Sequence, residues 1–215
     1  AEGRALWTIT LGSGPRKVLA WARQHGDEPD CTAALNTVLD WLLMNPTHPV
    51  AARILAGVTI KVFPMVNPDG VARFTRVCAV GIDLNRDAVA LATPEARTLK
   101  ELKDTFKPQF GLNLHDMNPR KRNGQGNLVA MAYQAGPFEN ADTDNEVRLR
   151  AKAVIAEIVE AVNPWIKGHI ARYTADYMHR AFGDSMMRWG VSSILIESGG
   201  WRETDGGIDR VRRWH

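Results

Sequence analysis

Nowhere in the 215 residues do about 18 apolar residues run together, so the sequence offers no candidate for a membrane-spanning helix. The N-terminal AEGRALWTIT lacks the basic-then-apolar order of a secretory leader, although a start at Ala1 rather than Met leaves room for one already removed. Cysteine is scarce. Cys31 and Cys78 are too few for a disulfide framework and form no C-x-x-C pair, which points to free thiols and a cytoplasmic location. An excess of one charge is missing too: 27 Lys and Arg are mixed along the chain with 24 Asp and Glu, for a net +3. Only PRKR at 119–122 is a basic cluster, and without interleaved aromatics it reads as a loop or an anion contact of a substrate, not as a nucleic-acid face. Repeats, low-complexity tracts and dividing linkers are absent as well. With 45% apolar and 24% charged residues, the composition suits one soluble core and therefore one domain.

Strand-like and helix-like stretches alternate, the pattern of an α/β sheet with helices on its faces. Apolar runs at 16–22, 58–64, 110–115 and 191–197 read as strands, each ending in polar or glycine residues that could form a site. Residues 32–44 place Leu35, Val38, Leu39 and Leu42 on one face of a helix that Asn45-Pro46 ends. Thr93-Pro94-Glu95 combines an N-cap with proline at the first helical position and predicts a helix to about Phe106. Further helices are expected at 145–162, stopped by Asn163-Pro164, and at 182–189, with a long connection over 124–144.

The candidate chemistry begins at HGDE, 25–28, directly after an apolar strand. A catalytic zinc takes three protein ligands and keeps a fourth position open, and His25 and Glu28 supply two from one turn. Alone, H-x-x-E is weak, since a turn histidine beside a helix-capping acid looks the same. The third ligand must come from another strand end, where His115 closes FGLNLH; His48, His169, His179 and the terminal His215 lack that placement. Arg86, after Asp83-Leu84-Asn85, offers a planar fork for a carboxylate, and Asn85 adds a donor. Arg73 and Arg76 precede this loop, where one cation could reach an oxygen that becomes negative during a reaction. Glu197, at the wet end of ILIE and before Ser198-Gly199-Gly200, is placed to take a proton from water.

In this order, HGDE (25–28), NPDG (67–70), GIDLNRD (81–87), NLHD (113–116) and LIESGG (195–200) resemble the zinc carboxypeptidase family, the M14 metallopeptidases, in a bacterial carboxypeptidase-like branch. The resemblance implies a mixed, twisted sheet sandwiched between helices, phosphorylase/hydrolase-like, with the metal at the strand ends. It implies one Zn2+ per chain held by His25, Glu28 and His115, Glu197 as general base, and Arg76 facing the scissile carbonyl. Arg76 is preferred to Arg73 because it stands seven residues before the aspartate of D-x-N-R, 83 − 76 = 7. Asn85 and Arg86 would grip the terminal carboxylate of a peptide or an acylated amino acid, and no nucleic-acid or membrane partner is implied. The oligomeric state stays open.

Some positions depart from the family pattern. Asp87 stands where several members have asparagine and would weaken the pull of Arg86 on a carboxylate. The tyrosine that many members place over the substrate has no clear counterpart; Tyr177, or Tyr173, lies at about the right distance before Glu197. The chain stops at Trp214-His215, soon after Glu197, which leaves room for truncation of the single catalytic domain spanning 1–215. The leading expectation is a metallocarboxypeptidase. An amidase or deacylase of N-acyl amino acids or cell-wall peptides would use the same metal and base, but Asp87-Ala88-Val89 replaces the Phe-Pro-Gly run that tends to follow the motif in deacylases. A binding protein without turnover is disfavoured because all the ligands and the base are present.

Overall fold

A computed structural model describes residues 2–174 and 176–201; the expectations placed on Trp214 and His215 lie outside the described residues. The strands are β1 (Ile9–Leu11), β2 (Arg16–Trp21), β3 (Val58–Phe63), β4 (Phe110–Asp116), β5 (Met131–Ala135), β6 (Ile170–Arg172) and β7 (Ser192–Ser198). The helices are α1 (Asp30–Met44), α2 (Pro49–Gly57), α3 (Pro68–Arg73), α4 (Pro94–Phe106), α5 (Glu146–Ile166) and α6 (Phe182–Arg188). One sheet joins the strands in the order β1-β3-β2-β4-β7-β5-β6. Pairs β3–β2, β2–β4, β4–β7 and β5–β6 are parallel, whereas β1–β3 and β7–β5 are antiparallel. The sheet is mixed, with the expected α/β architecture.

The inner strands are apolar on both faces because helices cover both. Side chains alternate along β2, so Leu19 and Trp21 pack with Phe63, Leu99 of α4 and Phe182 and Met186 of α6. Ala20 faces the other way, onto Val62 and Leu39 of α1. Further along the sheet, Ile194 of β7 packs with Ala151 of α5. Gly111 in β4 makes room for the Trp21 indole, because a Cβ there would come within 2.8 Å of the ring.

The strand order creates the crevice that matters. From β2 the chain crosses through α1 and α2 to β3 on one side, then returns through α3 and α4 to β4 on the other side of β2. At their C-terminal ends the chain leaves β2 and β4 toward opposite sides of the sheet, which is where open α/β sheets place their ligands.

The four strands read from the sequence are present, each within two residues of its expected bounds, and α4 begins at Pro94 with Thr93 Oγ accepting the Ala96 N–H at 3.1 Å. Two expectations change. The 124–144 connection contains β5, whose five residues were hidden among glycines and prolines. Helix α5 runs through Pro164 to Ile166, because a proline so near the end removes only one backbone donor. Helix α2, not read from the sequence, is capped by His48, which accepts the Val50 N–H at 3.2 Å.

Helix α1 starts at Asp30, two residues before the sequence signal. Pro29 supplies no side-chain cap, and Asp116 at the end of β4 does so instead, accepting the Asp30 N–H at 2.6 Å and the Cys31 N–H at 3.0 Å. Replacing Asp116 with alanine removes both acceptors and is expected to destabilise the protein by about 1–2 kcal/mol, read as a lower midpoint of urea unfolding. An unchanged midpoint would show that the cap contributes nothing.

Candidate metal centre

Past Trp21 the chain leaves the sheet but stays fastened to the loop after β3: Ala22 N–H donates to Phe63, while Val66 and Asn67 donate to Ala22 and Arg23. Arg23 takes a left-handed backbone, φ 57°, a conformation that costs a non-glycine residue about 1 kcal/mol, and its guanidinium donates to the Gly26 carbonyl at 2.6 Å. A Cβ on Gly26 would lie 2.1 Å from the Gly70 carbonyl carbon, so only glycine lets the HGDE turn rest on NPDG. Asn67 completes the support, accepting the Gly70 N–H at 2.9 Å and donating to the Gln24 carbonyl at 3.2 Å. NPDG is therefore the bed on which the HGDE turn lies.

His25, Glu28 and His115 converge at the mouth of the crevice. The Nδ1 atoms of His25 and His115 lie 2.6 and 2.8 Å from the two oxygens of Glu28, and the rings are 4.9 Å apart. One ligand atom from each residue falls within 4.8 Å of the others. Both histidines are buried, only 3% exposed. Burial alone would raise the pKa of Glu28, but the hydrogen bonds from His115 and His25 outweigh it and bring the carboxyl down to about 2. For His25, burial opposes the charged ring while Asp83 and Glu28 favour it more strongly, so its pKa rises. Two imidazoles and a carboxylate around one point are a donor set that zinc accepts. The His115 Nε2, buried without a partner, leaves that ring's bonding to Nδ1, the atom turned toward Glu28.

Asp83 was not singled out in the sequence, yet its Oδ1 lies 3.1 Å from the His25 Nε2 and also accepts the Asn85 N–H at 2.8 Å. A carboxylate on the far nitrogen fixes ring orientation and tautomer, as around metal-bound histidines. Against the effect of burial, His25 and Arg76 hold the Asp83 carboxyl far below the usual range. Its signal was its place as the first residue of D-x-N-R, which had served only to count back to Arg76.

Glu197, Arg76, Asn85 and Arg86 border a cleft of about 280 Å³ that is also lined by the three clustered residues. Glu197 on β7 is the register partner of His115 on β4, so the base candidate and a ligand candidate stand side by side on neighbouring parallel strands. Burial pushes the Glu197 carboxyl up to about 7, with His115 pulling the other way. Arg76 lies between Asp83, with Nη2 3.0 Å from Oδ2, and the cluster, with Nη1 3.6 Å from Glu28. Arg73 instead pairs with Glu2. Asn85 accepts the Phe182 N–H through its side-chain oxygen, which leaves its NH2 as the end for a ligand, and Arg86 lines the cleft beside it.

Two residues are placed differently from the expectation. Tyr177 lines a neighbouring pocket with Pro137 and Arg172, and Tyr173 lines the cleft in its place, because β6 delivers residue 173 directly beside β5. Asp87 does not act on Arg86 as an unengaged charge: it is buried, and its oxygens accept from Ala92 N–H, Thr93 N–H and the Thr93 hydroxyl at the start of α4.

Residues 1–119 match the family model of zinc carboxypeptidases. The chain is 30% identical over 146 residues to carboxypeptidase 2 of Trichophyton rubrum, which covers 66% of this chain and 27% of that protein. It therefore spans little more than a quarter of such a relative. In fold it is similar to the metallo-carboxypeptidase of Burkholderia cenocepacia, with a TM-score of 0.76 and 20% identity, covering 98% of this chain and 58% of that one. The metallo-carboxypeptidase of Pseudomonas aeruginosa, solved with (2-guanidinoethylmercapto)succinic acid, gives 0.73 and 18% over 99% and 58%. With more than half its length under the family model and the histidine–glutamate–histidine cluster assembled at the strand ends, the chain belongs to the M14 zinc carboxypeptidase family.

Proposed function

We propose that this chain carries the catalytic site of a zinc metallocarboxypeptidase that hydrolyses the C-terminal peptide bond of its substrate. The observation that carries the proposal is the buried convergence of His25, Glu28 and His115 with Glu197 in register beside them. His25, Glu28 and His115 would hold the zinc. When bound, such an ion supplies Lewis-acid polarisation of a carbonyl and lowers the pKa of water to about 7.

The protein's own groups do the rest. Glu197 takes a proton from the attacking water and hands it to the leaving amine; a carboxyl lifted to about 7 gains and loses a proton readily at neutral pH. Arg76, half-exposed and held side-on by Asp83, directs its remaining N–H groups at the oxygen that becomes negative during attack. The Arg86 fork and the Asn85 NH2 bind the free carboxylate, which restricts cleavage to the last peptide bond. Tyr173, on the wall of the cleft, contacts the bound chain.

Three outcomes test these roles. Glu197→Gln is expected to retain one zinc per chain, measured by elemental analysis, and to lose about 10²- to 10⁴-fold in turnover of blocked dipeptides. Arg86→Gln should chiefly raise KM for substrates with a free carboxylate and leave zinc content intact. Asp83→Ala should lower zinc affinity by about 10- to 100-fold in a chelator competition. Zinc binding without peptide cleavage, but with release from N-acyl amino acids, would replace the peptidase reading with the amidase.

A further inference from the structure

The basic cluster at 119–122 has no part in the chemistry above, but its position is informative. Lys121 and Arg122 meet Arg172 around a separate cavity of about 340 Å³, whose lining contains no acidic residue. Among the described residues none of the three makes an ion pair. The Lys121 ammonium sits 5.3 Å from the centre of the Tyr173 ring, and Arg122 donates to the Gly126 carbonyl at 2.6 Å. Arg172 is felt by Asp144, whose two oxygens are already taken by Lys152 at 2.6 and 2.7 Å. Arg172 also borders the neighbouring pocket, where Glu139, Asp142 and Asp176 stand, but within this cavity the three cations meet no acidic side chain, so they repel one another and an arriving anion relieves that repulsion.

The sheet register places this cavity relative to the scissile bond. Ala132 of β5, in the cavity wall, pairs with Glu197, and Gln134, in the catalytic cleft, pairs with Leu195 two positions deeper. In that deeper row Leu195 also pairs with Asn113, whose amide nitrogen lies against Gly183 of α6; the neighbouring Phe182 N–H fixes Asn85. The grip residues Asn85 and Arg86 border the catalytic cleft and not the basic cavity, which lies past Met117 at the end of β4. Met117, Lys121 and Tyr173 border both cavities, so the two lie side by side.

We infer that the cavity bounded by Lys121, Arg122 and Arg172 is a subsite for a carboxylate side chain on the N-terminal side of the scissile bond, so that the enzyme favours peptides acidic just before their last residue. This inference rests on the carboxypeptidase reading for the direction of the bound chain. A blocked peptide series sharing one C-terminal residue and carrying Glu, Gln or Lys at the two preceding positions tests it. Wild-type protein with zinc is expected to hydrolyse the Glu peptide with kcat/KM about fivefold above the Gln peptide at low salt. The preference should shrink in about 0.5 M salt. It should vanish in Arg122→Gln/Arg172→Gln, with the Gln peptide cleaved as before.

The same series is titrated against zinc-loaded Glu197→Gln, where binding is read without turnover. Tighter binding of the Glu peptide that disappears in the triple variant supports the subsite even if no peptide is cleaved, in which case the reaction assignment fails and the subsite stands. Equal binding of the Glu and Gln peptides, or a Glu preference that survives loss of both arginines, overturns it.

Discussion

The Glu28 carboxylate, held between two buried imidazoles, is the contact around which the site is arranged. A charge so far out of water needs partners on both oxygens, and His25 and His115 provide them at hydrogen-bond distance. Those partners come from different strands, so the demands of one carboxylate fix where the β2 turn and the end of β4 must lie. The parallel β3–β2–β4–β7 arrangement meets this demand because the chain reverses its direction of progress across the sheet at β2.

Around that contact the acidic residues divide the labour by environment. Glu28, bonded to two rings, stays ionised at about 2, whereas Glu197, buried with fewer compensating partners, is lifted to about 7. Asp83 steadies one ring and one arginine at the same time, and Asp87 is spent on the start of α4. Like residue types thus serve as ligand candidate, base candidate, positioning group and helix cap, with the difference lying in burial and in the number of donors each one meets.

The strands that carry the site were legible because each is a short apolar run with a polar end, and α4 because its cap and proline are adjacent in sequence. Candidates with a local signal could be read: HGDE after β2, His115 next to the end of β4, Glu197 next to the end of β7. What could not be read depends on partners distant in the chain. Asp83 bonds a histidine 58 positions away, and Asp116 caps a helix that begins 86 positions earlier. Gly26 is required by Gly70, which no local pattern reveals. β5 escaped notice because its five residues, MAYQA, offer too short an alternation amid turn residues. Tyr173 and Tyr177 could not be separated by distance from Glu197 along the chain, since the course of β6 decides which one enters the cleft.

The bond from Asp116 to the start of α1 has a consequence for how the protein acquires its ion. Asp116 follows His115 directly, and α1 begins two residues after Glu28, so the clamp holds both neighbouring backbones with protein atoms alone. The Asp116 N–H also donates to Glu28 at 3.3 Å. Small zinc domains collapse when stripped because the metal supplies their folding free energy; here a seven-stranded sheet and internal hydrogen bonds carry that burden. Chelation should accordingly leave a folded protein, ready to be recharged.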